Sequence, residues 1–296
     1  MTDAAGLDLH RALLATPLGQ PGSGRTRYGA AMALHGAGEI GDAALEVYRI
    51  CSARDVQDPA TALRDAGLVV PYPGSPSPER MIRLLVDEVD RYLAALPGPG
   101  VAEVRGGLNA ARGGPVRPPA ALGAGQNAVL AAHFPQAVAA LALTHPALAA
   151  ALAAAVPLLT WITCDTCPPA EIAPDFAKGH ARALIIGEDA PIAAKNYDLG
   201  LFLIAPHGLC RDHAHAAPEL YAPLTGPHGW RFAPDAPLMI KPAHVPVWNE
   251  AFAPHLTKVG PVPFLCIFGR TRDAKARSRI VAATDWPSLA ARHLLP

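Results

Sequence analysis

Apolar residues in the first half of the chain recur every three or four positions, which is the spacing of amphipathic helices. The clearest helix is predicted to begin at Ser77, a good N-cap residue, with Pro78 at the first helical position. Its apolar positions are Met81, Leu84, Leu85, Val89, Tyr92 and Leu93. A second helix is predicted over residues 42–53. Residues 97–125 are dense in Gly and Pro, so we predict a long irregular connection there.

The pattern changes near residue 160, where short apolar runs begin to alternate with turn residues. These runs include ALIIG, LGLFLIAP, PLMIKP and PFLCIFG. Such a series is typical of a small β-sandwich or β-barrel. We therefore predict an α+β fold in two domains, a helical N-terminal region over 1–160 and a β-barrel over 161–296. Because the helices are short and rich in Ala, we expect the helical half to pack on the barrel as a cap.

Charge and composition narrow the functional classes. The 296 residues carry 25 Lys and Arg against 25 Asp and Glu, so the formal net charge is zero. A balanced chain argues against nucleic acids and membranes as partners, because binding to phosphate groups relies on a basic face. The most apolar stretch, 137–162, contains prolines and predicts buried helix instead of a membrane span. An odd number of cysteines, and an N-terminus without the features of a secretory signal, favour a cytoplasmic protein.

Six of the twelve histidines lie between residues 207 and 255, within the predicted β-region. Part of this cluster reads His213-x-His215-x-x-x-Glu219-x-Tyr221. These residues occupy odd positions, so on one strand with a bend at Pro218 they share a face. Two imidazoles and a carboxylate on the inner face of a barrel are three ligands for a divalent transition metal. The alternative is an edge strand with two surface histidines and a solvated carboxylate.

A fourth ligand would have to come from a later strand, and the candidates are His244 and His255. His255 lies nine positions before Phe264, which leaves room for one hairpin turn before the last strong strand. His244 is otherwise interpreted as a loop or strand residue near the mouth of the pocket. His207 and His228 are expected in turns.

The spacing H-x-H-x3-E-x6-G resembles the first motif of the cupins. The longer string HAHAAPELYAPLTGPHGWRF, preceded by GLFLIAP, resembles the cupin-type dimethylsulfoniopropionate (DMSP) lyases and their relatives. The segments that follow fit the same family, namely Gly229-Trp230, Ile240-Lys241-Pro242, Pro254-His255 and Pro263-Phe264-Leu265. The resemblance covers about residues 161–286 and implies a cupin-type β-barrel, or double-stranded β-helix. On this alignment the metal ligands are His213, His215, Glu219 and His255.

The resemblance also implies an activity. In the family, the tyrosine two residues after the metal-binding glutamate is implicated as the base, and here that residue is Tyr221. The implied reaction is a β-elimination that converts DMSP, a small carboxylate, into dimethyl sulfide and acrylate. A divalent cation (Fe, Mn, Co, Ni or Zn) would stabilise the developing enolate and favour the phenolate form of Tyr221. Without the metal motif, Tyr221 would be interpreted as a packed strand residue.

The chain departs from the family pattern just before the first histidine, where a second tyrosine is often found. Leu209-Cys210-Arg211 fills that place. Since aromatic faces hold soft cations such as a sulfonium, other aromatic residues would have to substitute. The candidates are Trp230, Trp248, Phe232 and Phe252.

Several interpretations stay open at the level of sequence. Cupins also include Fe(II) dioxygenases, isomerases and hydrolases, and a non-catalytic metal-binding cupin is a further alternative. Glu250 is either a turn residue or a partner of a ligating histidine. The basic residues of 270–279 are interpreted as a solvated segment, and Cys164-x-x-Cys167 as structural. The oligomeric state is open and includes a homo-oligomer.

Overall fold

The computed structural model describes residues 4–71, 77–117, 127–163 and 174–294. The α-helices of these ranges are α1 (Ala4–Leu13), α2 (Ser23–Gly36), α3 (Asp42–Cys51), α4 (Pro59–Asp65), α5 (Pro78–Ala94), α6 (Val101–Ala111), α7 (Ala128–Ala142), α8 (Pro146–Ala155), α9 (Pro174–Lys178) and α10 (Trp286–Ala291), and a short 3-10 helix spans Val156–Leu158. The strands are β1 (His180–Gly187), β2 (Ile192–Ala193), β3 (Asp198–Ile204), β4 (Leu209–Ala214), β5 (Glu219–Pro223), β6 (His228–Arg231), β7 (Met239–Lys241), β8 (Val247–Asn249), β9 (His255–Lys258), β10 (Phe264–Arg270) and β11 (Arg279–Ile280). Cys164-x-x-Cys167 lies outside the described residues. Within these ranges, no helix is both long and apolar enough to cross a bilayer.

The chain divides into two compact units that are discontinuous in sequence. One comprises Met1–Glu88 and Val138–Val156, and the other comprises Val89–Ala137 and Pro157–Pro296. Helices make up the regular structure described in the first unit, whereas the described strands belong to the second. The predicted boundary at residue 160, and the packing of the helical half on the barrel as a cap, stay predictions.

The two helices predicted over residues 42–53 and from Ser77 onward are confirmed as α3 and α5. The backbone N–H of Arg80 donates to Ser77 Oγ over 3.2 Å, and α5 begins at Pro78. The core of the first unit is built from apolar faces of several helices. Its buried members include Leu9, Leu13, Leu34, Tyr48, Leu63 and Leu84.

The prediction of an irregular connection over 97–125 is wrong for residues 101–111, which form α6. Val101, Val104 and Leu108 recur at helical spacing and are buried. The pair Gly106-Gly107 obscured this pattern, because glycine disfavours helices. Gly107 is required for close packing, since a Cβ there would lie 2.2 Å from the ring of Tyr197.

Two sheets form the barrel of the second unit. Their strand orders are β2-β1-β3-β10-β5-β8 and β11-β4-β9-β6-β7, and every pairing except β1–β2 is antiparallel. Along the chain, β3, β5, β8 and β10 belong to the first sheet, whereas β4, β6, β7 and β9 belong to the second. This alternation is the double-stranded β-helix, so the predicted α+β fold with a C-terminal cupin-type barrel is confirmed.

Apolar residues from both sheets pack between them. Tyr221 and Phe264 come from the first sheet and Trp230 from the second, and all three belong to one buried cluster. The Tyr221 and Trp230 ring centroids are 5.6 Å apart, and those of Trp230 and Phe264 are 5.8 Å apart. The interior between the sheets is therefore filled by aromatic contacts beside the end of β4.

Candidate metal centre and active site

Three histidines converge at one end of the barrel. His213 lies in β4, His215 follows that strand by one residue, and His255 begins β9. Candidate ligand atoms from the three side chains all lie within 4.8 Å of one another, and all three residues are buried. The predicted histidines are thus brought together in space.

Main-chain carbonyls fix the orientation of the three rings. His213 Nδ1 is 2.8 Å from the carbonyl of Arg211, His215 Nδ1 is 2.6 Å from that of Ala217, and His255 Nδ1 is 3.0 Å from that of Ala253. A carbonyl oxygen can only accept a hydrogen bond, so each Nδ1 carries the proton and donates it. In a neutral imidazole the Nε2 lone pair is then left for another partner.

Glu219, the first residue of β5, lies beside two of the three histidines, His215 and His255. Its Oε2 is 3.1 Å from His215 Nε2 and 3.7 Å from His255 Nε2. Its Oε1 accepts a hydrogen bond of 2.8 Å from Arg270 Nε. Burial alone would raise the pKa of Glu219, but the charge of the neighbouring Arg270 holds this pKa well below its usual value. Glu219 is therefore an anion.

The donor set fits a divalent metal. Because each Nδ1–H donates to a carbonyl, the Nε2 atoms of neutral imidazoles are hydrogen-bond acceptors, and so are the carboxylate oxygens that they face. Two acceptors repel each other, and a cation bound between them would remove this repulsion. His255 Nε2 is buried and has no hydrogen-bond partner among the described residues. Burial and the neighbouring His255 lower the pKa of His213 well below 6.5, which keeps His213 neutral as ligation requires. The assignment of all four residues as ligands stays a prediction.

The route by which the chain brings these residues together differs from the prediction in two respects. His213 and Glu219 do not lie on one bent strand, because β4 ends at Ala214 and β5 begins in the other sheet. His255 does not reach the site through a hairpin with the last strong strand. Instead, β9 pairs with β4 and places His255 opposite His213.

Tyr221 lies in β5, two residues after Glu219, and lines the same cavity. Its ring centroid is 6.2 Å from that of His255 and 6.4 Å from that of Phe202. Burial, together with the charge of Glu219, raises the pKa of Tyr221 well above 10. The predicted base is thus beside the histidine cluster, and its ionisation depends on additional positive charge.

A cavity of about 450 Å³ lies beside this cluster and is lined in part by His213, Glu219 and Tyr221. Its volume is suited to a small molecule. Its lining includes the charged residues Arg182, Arg211, Arg270, Lys275, Arg277, Glu188, Asp189, Asp198 and Glu219. Its apolar and aromatic lining includes Phe176, Phe202, Phe268 and Tyr221. The basic run 270–279 is therefore not simply a solvated segment, because three of its basic residues, Arg270, Lys275 and Arg277, line the cavity.

The aromatic residues suggested by sequence as substitutes for the missing tyrosine do not line this cavity. Trp230 is fully buried in the barrel core, Trp248 donates to Glu250 Oε1 over 2.7 Å, and Phe252 is exposed. Phe176, Phe202 and Phe268 take their place. A run such as LGLFLIAP marks a strand, but it does not show which of its side chains faces a cavity.

The other three histidines of residues 207–255 do not belong to the cluster. His244 lies in the connection between β7 and β8, and its Nδ1 is 3.0 Å from Tyr92 Oη. His207 lies in a turn with a positive φ of 64°, as expected. His228 was expected in a turn, but it begins β6 and is buried.

Comparisons with known proteins agree with this architecture. The DMSP lyase (dimethylsulfoniopropionate lyase) family model matches residues 118–266, half of the chain. No curated protein matches the sequence. A chain from the crystal structures of the DMSP lyases RdDddP and RnDddQII is 18% identical, with a TM-score of 0.51 over 70% of this chain and 100% of that one. The DMSP lyase DddQ from Ruegeria pomeroyi DSS-3 is also 18% identical, with a TM-score of 0.50 over 68% of this chain and 96% of its own.

At 18% identity these two structures show a shared fold. The family match adds the sequence relationship, and it contains His213, His215, Glu219, Tyr221 and His255. The chain therefore belongs to the DMSP lyase family.

Proposed function

We propose that this protein is a metal-dependent carbon–sulfur lyase that converts DMSP, or a similar small β-substituted carboxylate, to acrylate and a thioether. The observation that carries the proposal is the convergence of one ligand atom from each of three buried histidines, with Glu219 Oε2 beside His215 Nε2 and His255 Nε2, next to a cavity that His213 and Glu219 line. Membership in the DMSP lyase family supports the substrate class. His213, His215, Glu219 and His255 would hold the metal, and Fe, Mn, Co, Ni and Zn all accept this donor set.

When bound, the cation supplies positive charge that stabilises an enolate and favours the phenolate form of a nearby tyrosine. Tyr221 then accepts the proton from the substrate carbon alpha to the carboxylate. The electrons of that C–H bond form the carbon–carbon double bond, and the bond from the β-carbon to sulfur breaks. The sulfonium sulfur keeps the bonding pair, so dimethyl sulfide leaves as a neutral molecule and acrylate remains.

The cavity lining contains groups suited to each end of a zwitterion. Arg182 and Arg277 contribute positive charge that attracts a carboxylate toward the cavity. The faces of Phe176, Phe202 and Phe268 offer the aromatic environment that favours a sulfonium.

The test is headspace detection of dimethyl sulfide from purified protein loaded with Fe(II), Mn(II), Co(II), Ni(II) or Zn(II) in turn. We expect dimethyl sulfide and acrylate in equal amounts with at least one metal, and none after removal of the metal by a chelator. Acrylate should be measured independently, because equal amounts distinguish elimination from other cleavage. Absence of both products with every metal, or uptake of oxygen during turnover, would contradict the lyase proposal and favour a dioxygenase or a binding protein.

A further inference from the structure

Arg270 occupies the centre of the first sheet, at the end of β10. It is paired with Glu219 across the β5–β10 ladder and with Asp198 across the β3–β10 ladder. Its side chain is 13% exposed, and its Nε donates to Glu219 Oε1 over 2.8 Å. Arg270, the first residue of the basic run 270–279, thus contacts the proposed metal site through Glu219.

The two oxygens of Glu219 have different partners. Oε1 faces Arg270, whereas Oε2 faces His215 Nε2 at 3.1 Å and His255 Nε2 at 3.7 Å. A carboxylate can bind a metal through one oxygen or both, and a hydrogen bond to one oxygen favours the first arrangement. We propose that Arg270 is a positioning residue, which fixes Glu219 so that only Oε2 is presented to the metal. This inference rests on the metal site of the proposed function.

The surroundings of Arg270 make it suited to this task. Asp198, on the neighbouring strand, interacts with the guanidinium electrostatically from the other side. The Ala274 carbonyl accepts a further hydrogen bond of 3.4 Å from Arg270 Nη1. A planar guanidinium held in this way donates to Glu219 in a fixed direction, whereas the flexible ammonium of a lysine would not fix the direction of this hydrogen bond. The position of Glu219 Oε2 is therefore determined by residues of three adjacent strands.

The experiment measures Co(II) affinity by competition with a chelator, and the visible spectrum of bound Co(II), for wild type, Arg270→Gln and Arg270→Lys. We expect Arg270→Gln to bind Co(II) about 10–100-fold more weakly, the usual effect of losing a partner of a metal ligand. The spectrum should change as well, because the carboxylate is free to turn. Arg270→Lys keeps the positive charge but lacks the planar guanidinium. Its Co(II) affinity should therefore lie between those of wild type and Arg270→Gln, and its spectrum should also differ from that of wild type.

The matched control is Arg272→Gln, since Arg272 lies on the same segment with its side chain 53% exposed and paired with Glu103. It should keep wild-type affinity and spectrum. In a Glu219→Ala background, Arg270→Gln should cause no further loss of affinity, because Arg270 acts through that carboxylate. If Arg270→Gln fails to fold, Arg270→Lys decides the question by the same two measurements.

Wild-type affinity and spectrum in the folded Arg270 variants would overturn the positioning role, and so would an additional loss in the Glu219→Ala background. Co(II) binding requires no turnover, so the outcome is separate from the lyase assay. A wild-type protein that binds Co(II) but releases no dimethyl sulfide with any of the five metals would refute the proposed function and leave the role of Arg270 supported or overturned by the same spectra. Failure of the wild type to bind Co(II) would overturn the role of Arg270, while the lyase assay with the other four metals would still decide the proposed function.

Discussion

His213 and His255 lie opposite each other in the β4–β9 ladder, with their ring centroids 4.1 Å apart. Two imidazoles separated by 42 positions in sequence are therefore direct neighbours because of strand pairing. Replacing either ring by alanine removes one of four proposed ligands. We expect His213→Ala and His255→Ala to weaken metal binding by on the order of 100-fold or more, beyond the usual effect of changing a ligand's partner. Metal content after dialysis measures this directly.

The control for these variants is His244→Ala. His244 contacts Tyr92 and lies apart from the cluster, so its loss should leave the metal content unchanged. Full metal loss in His244→Ala with retention in His255→Ala would reverse the ligand assignment.

Tyr221→Phe removes only the phenolic oxygen that is proposed to accept the proton. Metal content should stay at the wild-type level, while turnover of DMSP should fall by about 10²–10⁴-fold, the effect of losing a positioned proton-transfer group. Tyr92→Phe is the matched control, because Tyr92 is also buried and its hydroxyl donates to the Pro223 carbonyl over 3.2 Å, outside the cavity lining. The measurement is the initial rate of dimethyl sulfide release. Near-normal turnover in Tyr221→Phe would place the base elsewhere.

Gly106 and Gly107 are adjacent in α6, but their surroundings differ. A Cβ at residue 106 would have no atom within 4 Å, whereas one at residue 107 would collide with the Tyr197 ring. Gly106→Ala should stabilise the protein by about 0.5–1 kcal/mol, because alanine favours the helix. Gly107→Ala should destabilise it by about 1–3 kcal/mol through overpacking. Urea unfolding of both variants measures the two changes, and similar midpoints would contradict the packing of α6 against Tyr197.

His228 provides a prediction for the dependence of stability on pH. Burial lowers its pKa to about 4, from an ordinary value of 6.5. Below pH 6.5 the unfolded chain binds a proton at this residue and the folded chain does not, so folding loses free energy as the pH falls toward 4. The loss from this group should be about 2 kcal/mol at pH 5.

The measurement is urea unfolding at pH 7 and pH 5 for the wild type and for His228→Gln. The wild type should lose more stability between these two values, because the variant lacks the group that titrates in the unfolded state. The difference between the two proteins isolates His228 from other histidines and carboxylates. An equal loss in both would show that His228 does not contribute.

The spacing of His213, His215 and Glu219 predicted a cluster of ligands, because a short motif is confined to one end of a barrel whatever the exact course of its strands. The strand pairing that brings His255 opposite His213 could not be predicted from sequence distance. Proximity to Phe264 along the chain favoured a hairpin, but long-range pairing in a double-stranded β-helix connects strands that are not consecutive. His255 thus lies beside His213 as predicted, but the geometric argument that placed it there was incorrect.

Other features were missed because their signals are weak at the level of sequence. Arg270 was assigned to a solvated run, since a series of basic residues shows no preference for one ladder partner over another. Its pairing with Glu219 depends on the register of β5 and β10. Helix α6 was missed because Gly107 acts as a helix breaker in propensity and as a packing residue in the fold. In both cases contacts between residues distant in sequence outweighed the structural preference of the local sequence.

Because the three imidazole Nδ1–H groups donate to main-chain carbonyls, the sequence around this centre can vary among related proteins in a particular way. Arg211, Ala217 and Ala253 contribute carbonyl oxygens, which every amino acid possesses. Substitutions at these three positions can therefore leave the rings oriented as they are, provided that the backbone keeps its path. Insertions or deletions between residues 211 and 217 would displace the acceptors. Natural selection on ring orientation should thus preserve loop length more strictly than the identity of these neighbouring side chains.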